Sequence, residues 1–386
     1  MAVNIWRVPL SDLQFGDKEN QAVLNVLHSR WLTMGTITSE FELRFAEEIN
    51  SKHAVAVTNA TAALHLACLS LGIGEGDEVI LPSLSFVATA NAVLYCGATV
   101  RFADIIGSEE LTISPQSIED SITPRTKAII VMHYAGFPCR MNEILEIASR
   151  HRLVVIEDSA HAPGAALNGQ SLGTWGDIGC FSFFSNKNLV TGEGGMLVTN
   201  QDDLAERARL LRSHAMTSLT LDRHLGHAFS YDVVDLGYNY RIDEMRSALG
   251  LVGLEQLDKN NARREFITRT YWRAFSDSRL GLPFKESAFE KNQSCAYHIF
   301  PILLPSNISR DGFMHHLREN GIQTSIHYPP IHKFSFYQNR FKDISMPITE
   351  RVASHQVTLP LFSSMNDEQL DFVINSVGEA LEESII

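Results

Sequence analysis

Along the first two-thirds of the chain, short apolar runs alternate with longer stretches in which apolar residues recur every three or four positions. That alternation predicts strands joined by crossover helices in a largely parallel sheet. The expected strands are Ala54–Val57, Val79–Leu81, Ala128–Met132, Val154–Ile156, Cys180–Phe183 and Met196–Val198, each apolar and bounded by polar or turn residues. Between them, Ala60–Leu71, with Asn59 as its N-cap, and Arg140–Arg152 read as helices. After Leu249 the pattern changes to a long polar helix through Asp258–Glu265, the kind of element that links two lobes. The expected division is a large domain over 1–252 and a smaller C-terminal α+β domain over 253–386, with a strand near His298–Ile302 and a closing helix Asp367–Glu383. No internal repeat is visible.

With 386 residues, 45% hydrophobic and 20% charged, the chain is long enough for two lobes around a sizeable core. Its formal net charge of −13 argues against a broad nucleic-acid surface, which needs clustered Lys and Arg. No apolar run approaches the roughly 20 residues that span a bilayer. The start, Met1 to Arg7, lacks the pattern of a signal peptide, so a cytoplasmic enzyme with no membrane or nucleic-acid partner is the expectation. The five cysteines are odd in number and widely spaced, which indicates neither a disulfide framework nor a zinc site. Gly72, Gly74 and Gly76 precede a strand instead of following one, and no P-loop pattern occurs. His327 and His332 flank a Pro-Pro pair, so no metal site is expected.

Three segments carry candidate chemistry. Lys187 follows a strand and stands among apolar, small and glycine residues; if enclosed, it becomes a neutral amine able to form a Schiff base, although a surface lysine on a glycine loop reads as well from this segment alone. Val154–Ile156 runs into Glu157 and Asp158, putting a carboxylate at the end of a buried strand where ligands bind, or alternatively capping a helix. Asn59–Leu64 opens a helix after a strand, so its backbone N–H groups and the Thr61 hydroxyl suit a phosphate, as they also suit an unliganded cap.

In this order, Trp31–Gly35, Asn59–Leu64, Pro82–Asn91, Glu157–His161, Lys187–Gly195 and Gly237–Glu244 resemble the DegT/DnrJ/EryC1/StrS family of sugar aminotransferases over nearly the whole chain. The resemblance implies the pyridoxal 5′-phosphate (PLP) transferase fold type I: an α/β large domain with a mostly parallel central sheet flanked by helices, plus the smaller α+β domain. It implies that Lys187 carries the cofactor as a Schiff base and shuttles a proton, that Asp158 holds the pyridine nitrogen, and that His161 bonds the phenolic oxygen. Phe86 matches the residue that stacks on the ring, Thr61, Ala62 and Ser182 match the phosphate cradle, and Asn239 matches a residue reaching the cofactor of the neighbouring subunit in a homodimer. His327 and Tyr328 match a sugar-facing loop. Arg246 stands where the family often has glutamine, and a branch that replaces the lysine with histidine dehydrates its ketosugar instead. The expected reaction is a ping-pong transamination from an amino acid, L-glutamate, to a ketosugar linked to a nucleotide. A cyclitol ketone as acceptor, a non-catalytic PLP-binding regulator, and a desulfurase or decarboxylase on the same fold are the competing readings; desulfuration needs a reactive cysteine, for which only Cys295 is placed.

Overall fold

The computed structural model describes residues 6–217, 230–289 and 292–384. Seven strands form the central sheet: β1 (His53–Val57), β2 (Glu78–Pro82), β3 (Thr99–Ala103), β4 (Thr126–Met132), β5 (Val154–Asp158), β6 (Ile178–Ser182) and β7 (Gly195–Thr199). They lie in the order β1-β7-β6-β5-β4-β2-β3. All contacts from β6 through β5, β4 and β2 to β3 are parallel, and β7 is antiparallel to both of its neighbours. The six strands expected from the apolar runs are all present. The seventh, β3, escaped because Thr99 and Arg101 interrupt its apolar pattern at the sheet edge.

Alternation along the strands builds two apolar layers, since successive side chains leave opposite faces of a sheet. Val79, Leu81, Ala128, Ile130 and Ile156 pack with α3 (Ala60–Ser70), α4 (Val87–Tyr95) and α6 (Asp202–Arg212) on one face. Ile80, Ile129, Val131 and Val155 meet α5 (Met141–His151) on the other. Helices α1 (Asp17–Ser29) and α2 (Thr36–Glu48) lie against the 31-residue α7 (Glu244–Ala274). Asn59 caps α3, accepting from Ala62 N at 2.9 Å.

Residue 252 falls inside α7, which runs unbroken from the sheet to the C-terminal part. There β8 (Phe300–Leu303) pairs antiparallel with β9 (Gln356–Leu359), beside α8 (Arg310–Glu319) and α9 (Asp367–Glu383). Their core is continuous with Leu84, Met132 and Tyr134 from the sheet end. The chain start is tied into this part: Val8 N donates to Gly321 O at 3.1 Å and Gln323 N to Val8 O at 2.9 Å. Among the described residues no helix is long and apolar enough to cross a membrane.

Candidate active site

The turns that follow β1, β2, β5 and β6 converge at the carboxyl ends of the parallel strands, the place where open α/β sheets take ligands. They enclose a cavity of about 400 Å³. Thr61, Phe86, Asp158, His161, Ser182, Lys187, His327 and Tyr328 all line it. Ala62 is buried one residue behind Thr61, its N–H given to Asn59. Asn239 is outside the cavity, exposed on a stretch that bridges to Ser213.

Strand period explains how Asp158 comes to face this space. It leaves β5 on the side of Ile156, toward α3 and α4, while Glu157 leaves on the side of Val155. The Asp158 carboxylate is 3% exposed and accepts from Thr89 Oγ1 at 2.7 Å and Ala160 N at 3.2 Å. Burial raises its pKa, opposed by Thr89, Ala160, Lys187 and His133. Thr89 stands on α4, one turn after Phe86, and is itself held by Ser85 at 2.8 Å.

Lys187 lies in the turn after β6, its N–H bonded to Phe184 O. Burial pulls its ammonium down to about 8, with Asp158 opposing. His161 accepts from Ala135 N at Nδ1, so its proton sits on Nε2, which donates to the Tyr328 hydroxyl at 2.9 Å. Burial holds His161 well below its ordinary value, and pushes His327 down to about 4. Tyr328 packs on Phe86 with ring centroids 5.8 Å apart, and His327 Nδ1 meets Thr358 Oγ1 at 3.0 Å.

The donor set suits PLP. At one end, the first turn of α3 leaves the N–H groups of Ala60 and Thr61 without helical acceptors, beside the Ser182 hydroxyl, a place for phosphate. The approach is close: a Cβ on Gly195 would lie 2.5 Å from the Asn59 carbonyl carbon and 2.7 Å from Ala60 N, so glycine is required there. In the same cavity, the desolvated Asp158 carboxylate suits a protonated ring nitrogen, and His161 Nε2–H suits a phenolic oxygen that takes the place of the Tyr328 hydroxyl it meets here.

Sequence reasoning missed Thr89, which holds Asp158, and His298, whose Nε2 stands 3.5 Å from Lys187 Nζ. Thr89 was inside a recognised segment, but nothing local marks it as a carboxylate partner. Cys295 is buried and its thiol is pushed up to about 12, chiefly by burial, so it offers no reactive sulfur. His332 bonds Ser83 at 2.6 Å and Glu350 at 3.0 Å, and no group of three or more His, Cys, Asp or Glu among the described residues is arranged to hold a metal.

Comparison with known proteins adds an independent line. A sequence profile of the DegT/DnrJ/EryC1/StrS aminotransferase family matches residues 14–378. The chain is 36% identical over 376 residues to the uncharacterized protein MJ1066 of Methanocaldococcus jannaschii, covering 96% of each. Among solved structures it is similar to Helicobacter pylori PseC, an aminotransferase involved in the biosynthesis of pseudoaminic acid, with a TM-score of 0.90 and 30% identity over 97% of this chain and 99% of that one. DesV of S. venezuelae, solved in complex with a ketimine intermediate, gives 0.89 and 33% over 97% and 99%. Spr1654 of Streptococcus pneumoniae, named as a candidate sugar aminotransferase and solved in its PMP form, gives 0.92 and 26% over 98% and 100%.

Proposed function

The chain belongs to the DegT/DnrJ/EryC1/StrS aminotransferase family and is a PLP-dependent aminotransferase, and on that premise we propose that it moves an amino group from L-glutamate to the carbonyl of a nucleotide-linked ketosugar. The observation that carries the reading is the seating of a desolvated lysine amine, a buried carboxylate, a neutral imidazole and an open helix N-terminus around one cavity.

When bound, PLP supplies an electron-withdrawing ring that eases removal of a proton from the substrate carbon. The chain supplies the rest. Backbone N–H groups at Ala60 and Thr61, with Ser182, would hold the phosphate, while Ala62 gives its N–H to the Asn59 cap that shapes this turn. Phe86 would lie against the ring, Asp158 would keep the ring nitrogen protonated, and His161 Nε2–H would donate to the phenolic oxygen. Lys187 is anchor and proton carrier: burial gives it a neutral fraction near neutral pH, so Nζ can take a proton from one carbon and return it to another. His327 and Tyr328 would face the sugar, and the division into a PLP-binding domain 1–252 and a small domain 253–386 belongs to the same proposal.

A sugar acceptor is supported by the neighbours Spr1654, named as a candidate sugar aminotransferase, and PseC, involved in pseudoaminic acid biosynthesis. For the nucleotide linkage, a second cavity of about 460 Å³ shares Lys187 and is lined by Lys259, with Arg263 and Arg264 held to Asp367 and to backbone carbonyls at its wall. A homodimer with shared sites is supported by the exposure of Phe86 and Phe184 at the cavity and of Val233, Val234 and Leu236, apolar surface that a second copy would cover. Asn239 would then reach the neighbour's phosphate. Mixing Lys187→Ala with Asn239→Ala chains tests this, because each mixed dimer regains one intact site and therefore activity.

The reaction is tested by absorption spectroscopy. L-glutamate should remove the visible band of the PLP-loaded protein, and a nucleotide-linked ketosugar should restore it; a band unmoved by L-glutamate or any other amino donor overturns the proposal.

A further inference from the structure

We infer that His298 is a positioning residue for Lys187, holding the lysine amine through an imidazole lone pair that a chain of side-chain amides fixes in place. The chain starts on α7, where Asn261 Nδ2 donates to Pro163 O at 2.9 Å. Its Oδ1 accepts from Asn188 Nδ2 at 2.7 Å, and the same Asn188 nitrogen donates to Ala296 O at 2.6 Å. The carbonyls of Pro163 and Ala296 can only accept, so neither amide can be turned over. Asn188 therefore offers Oδ1 to His298 Nδ1 at 2.9 Å, and the ring carries its proton there. Nε2 is left bare, 3.5 Å from Lys187 Nζ.

Among the described residues no other hydrogen-bond partner stands within reach of that amine. The groups facing the pair come from several elements. Asp158 faces it from β5, His161 from the following turn with its ring centroid 4.3 Å from that of His298, and His327 from the small-domain loop. Arg264, on α7, donates to the carbonyl of His298 itself at 3.0 Å. Burial, with His161, Lys187 and Arg264, holds the ring well below its ordinary value, so it stays neutral and accepting.

The consequence follows from the lysine's two duties. While Lys187 is joined to the cofactor its nitrogen has a fixed place; once released, a four-carbon side chain with a buried amine needs an acceptor or it swings. His298 Nε2 is that acceptor. It would keep Nζ in place for the proton transfer, and His298 itself does not line the cavity.

The test compares His298→Phe, which keeps a ring and removes both nitrogens, with His298→Gln, which returns an amide oxygen near the Nε2 position. In cofactor-free protein, competitive labelling of Lys187 with an amine reagent, read by mass spectrometry, should show its titration falling by about one pH unit in the Phe variant, because the ammonium form loses its acceptor. In loaded protein the L-glutamate half-reaction should slow about tenfold to a hundredfold, with KM changed less than about twofold. The Gln variant should recover part of both effects. A folded Phe variant with unchanged Lys187 titration and half-reaction rate overturns the inference. If it fails to fold, Asn188→Ala decides: with the ring free to present N–H to Lys187, the same two shifts are expected, and their absence overturns the inference. It rests on Lys187 being the reacting lysine, a reading that fails separately if Lys187→Ala keeps the half-reaction.

Discussion

Glu157 and Asp158 are adjacent carboxylates at the end of one strand, both buried, and they live in opposite regimes. Glu157 is saturated: Oε1 accepts from Trp175 N and Gly176 N, both at 2.7 Å, and Oε2 from Gly173 N and His133 Nε2, both at 2.8 Å. His133 accepts from Cys139 N at Nδ1, so its proton is committed to Glu157. Asp158 has one hydroxyl and one N–H, and looks into a cavity that also holds a desolvated lysine. The strand's two-residue period assigns one carboxylate to the layer of α5 and the other to the ligand side. Burial alone therefore does not single out Asp158 for the role proposed for it; being short of partners and facing a cavity does.

Exchanging the two residues' fates is the sharpest way to break this contrast. Asp158→Asn keeps the shape and the Thr89 contact, and should lower the L-glutamate half-reaction by about 10²–10³-fold while leaving urea unfolding nearly unchanged. Glu157→Ala orphans three backbone donors and a histidine, and should cost about 3–5 kcal/mol in the same unfolding assay. If Asp158→Asn proves the less stable of the two, the contrast is wrong.

The lysine gives a smaller effect of unusual sign. A base whose pKa is held at about 8, below its ordinary 10.5, binds its proton more weakly folded than unfolded, so burial costs stability at low pH. The cost fades as pH rises from 8 toward 10.5. Lys187→Met should therefore stabilise the cofactor-free protein at pH 7 by about 2 kcal/mol, with the gain shrinking at alkaline pH in calorimetric scans. Smallest is a control far from the cavity. Asn366 caps α9 with a reciprocal Gln369 contact, and Asn366→Ala should cost about 1 kcal/mol with the half-reaction untouched.

The same contrast explains what could be read from the sequence. Lys187 and Asp158 drew notice because a charged residue at the end of an apolar run breaks the local pattern, but each kept a structural alternative until the resemblance of six ordered segments to the family gave it a role; α9 was legible because its cap and apolar spacing are local. The start of α7 at Glu244 was not, since its first turns bury Ser247, Ala248 and Gly250 and lack the polar face that marks the rest. Nor was the reversed direction of β7, because periodicity carries no strand polarity. The His298 relay was the least accessible. Asn188 and Asn261 are 73 residues apart and His298 and Asn188 110 apart, and ordinary polar residues reveal such a chain only once the fold brings them together.

The central claim is that Lys187 is the residue to which the cofactor attaches. The most direct measurement is borohydride reduction of the PLP-loaded protein followed by peptide mass mapping. The account predicts the phosphopyridoxyl mass on the peptide carrying Lys187, lost in Lys187→Ala; the adduct on a different lysine, or no adduct in protein that has bound PLP, would contradict it.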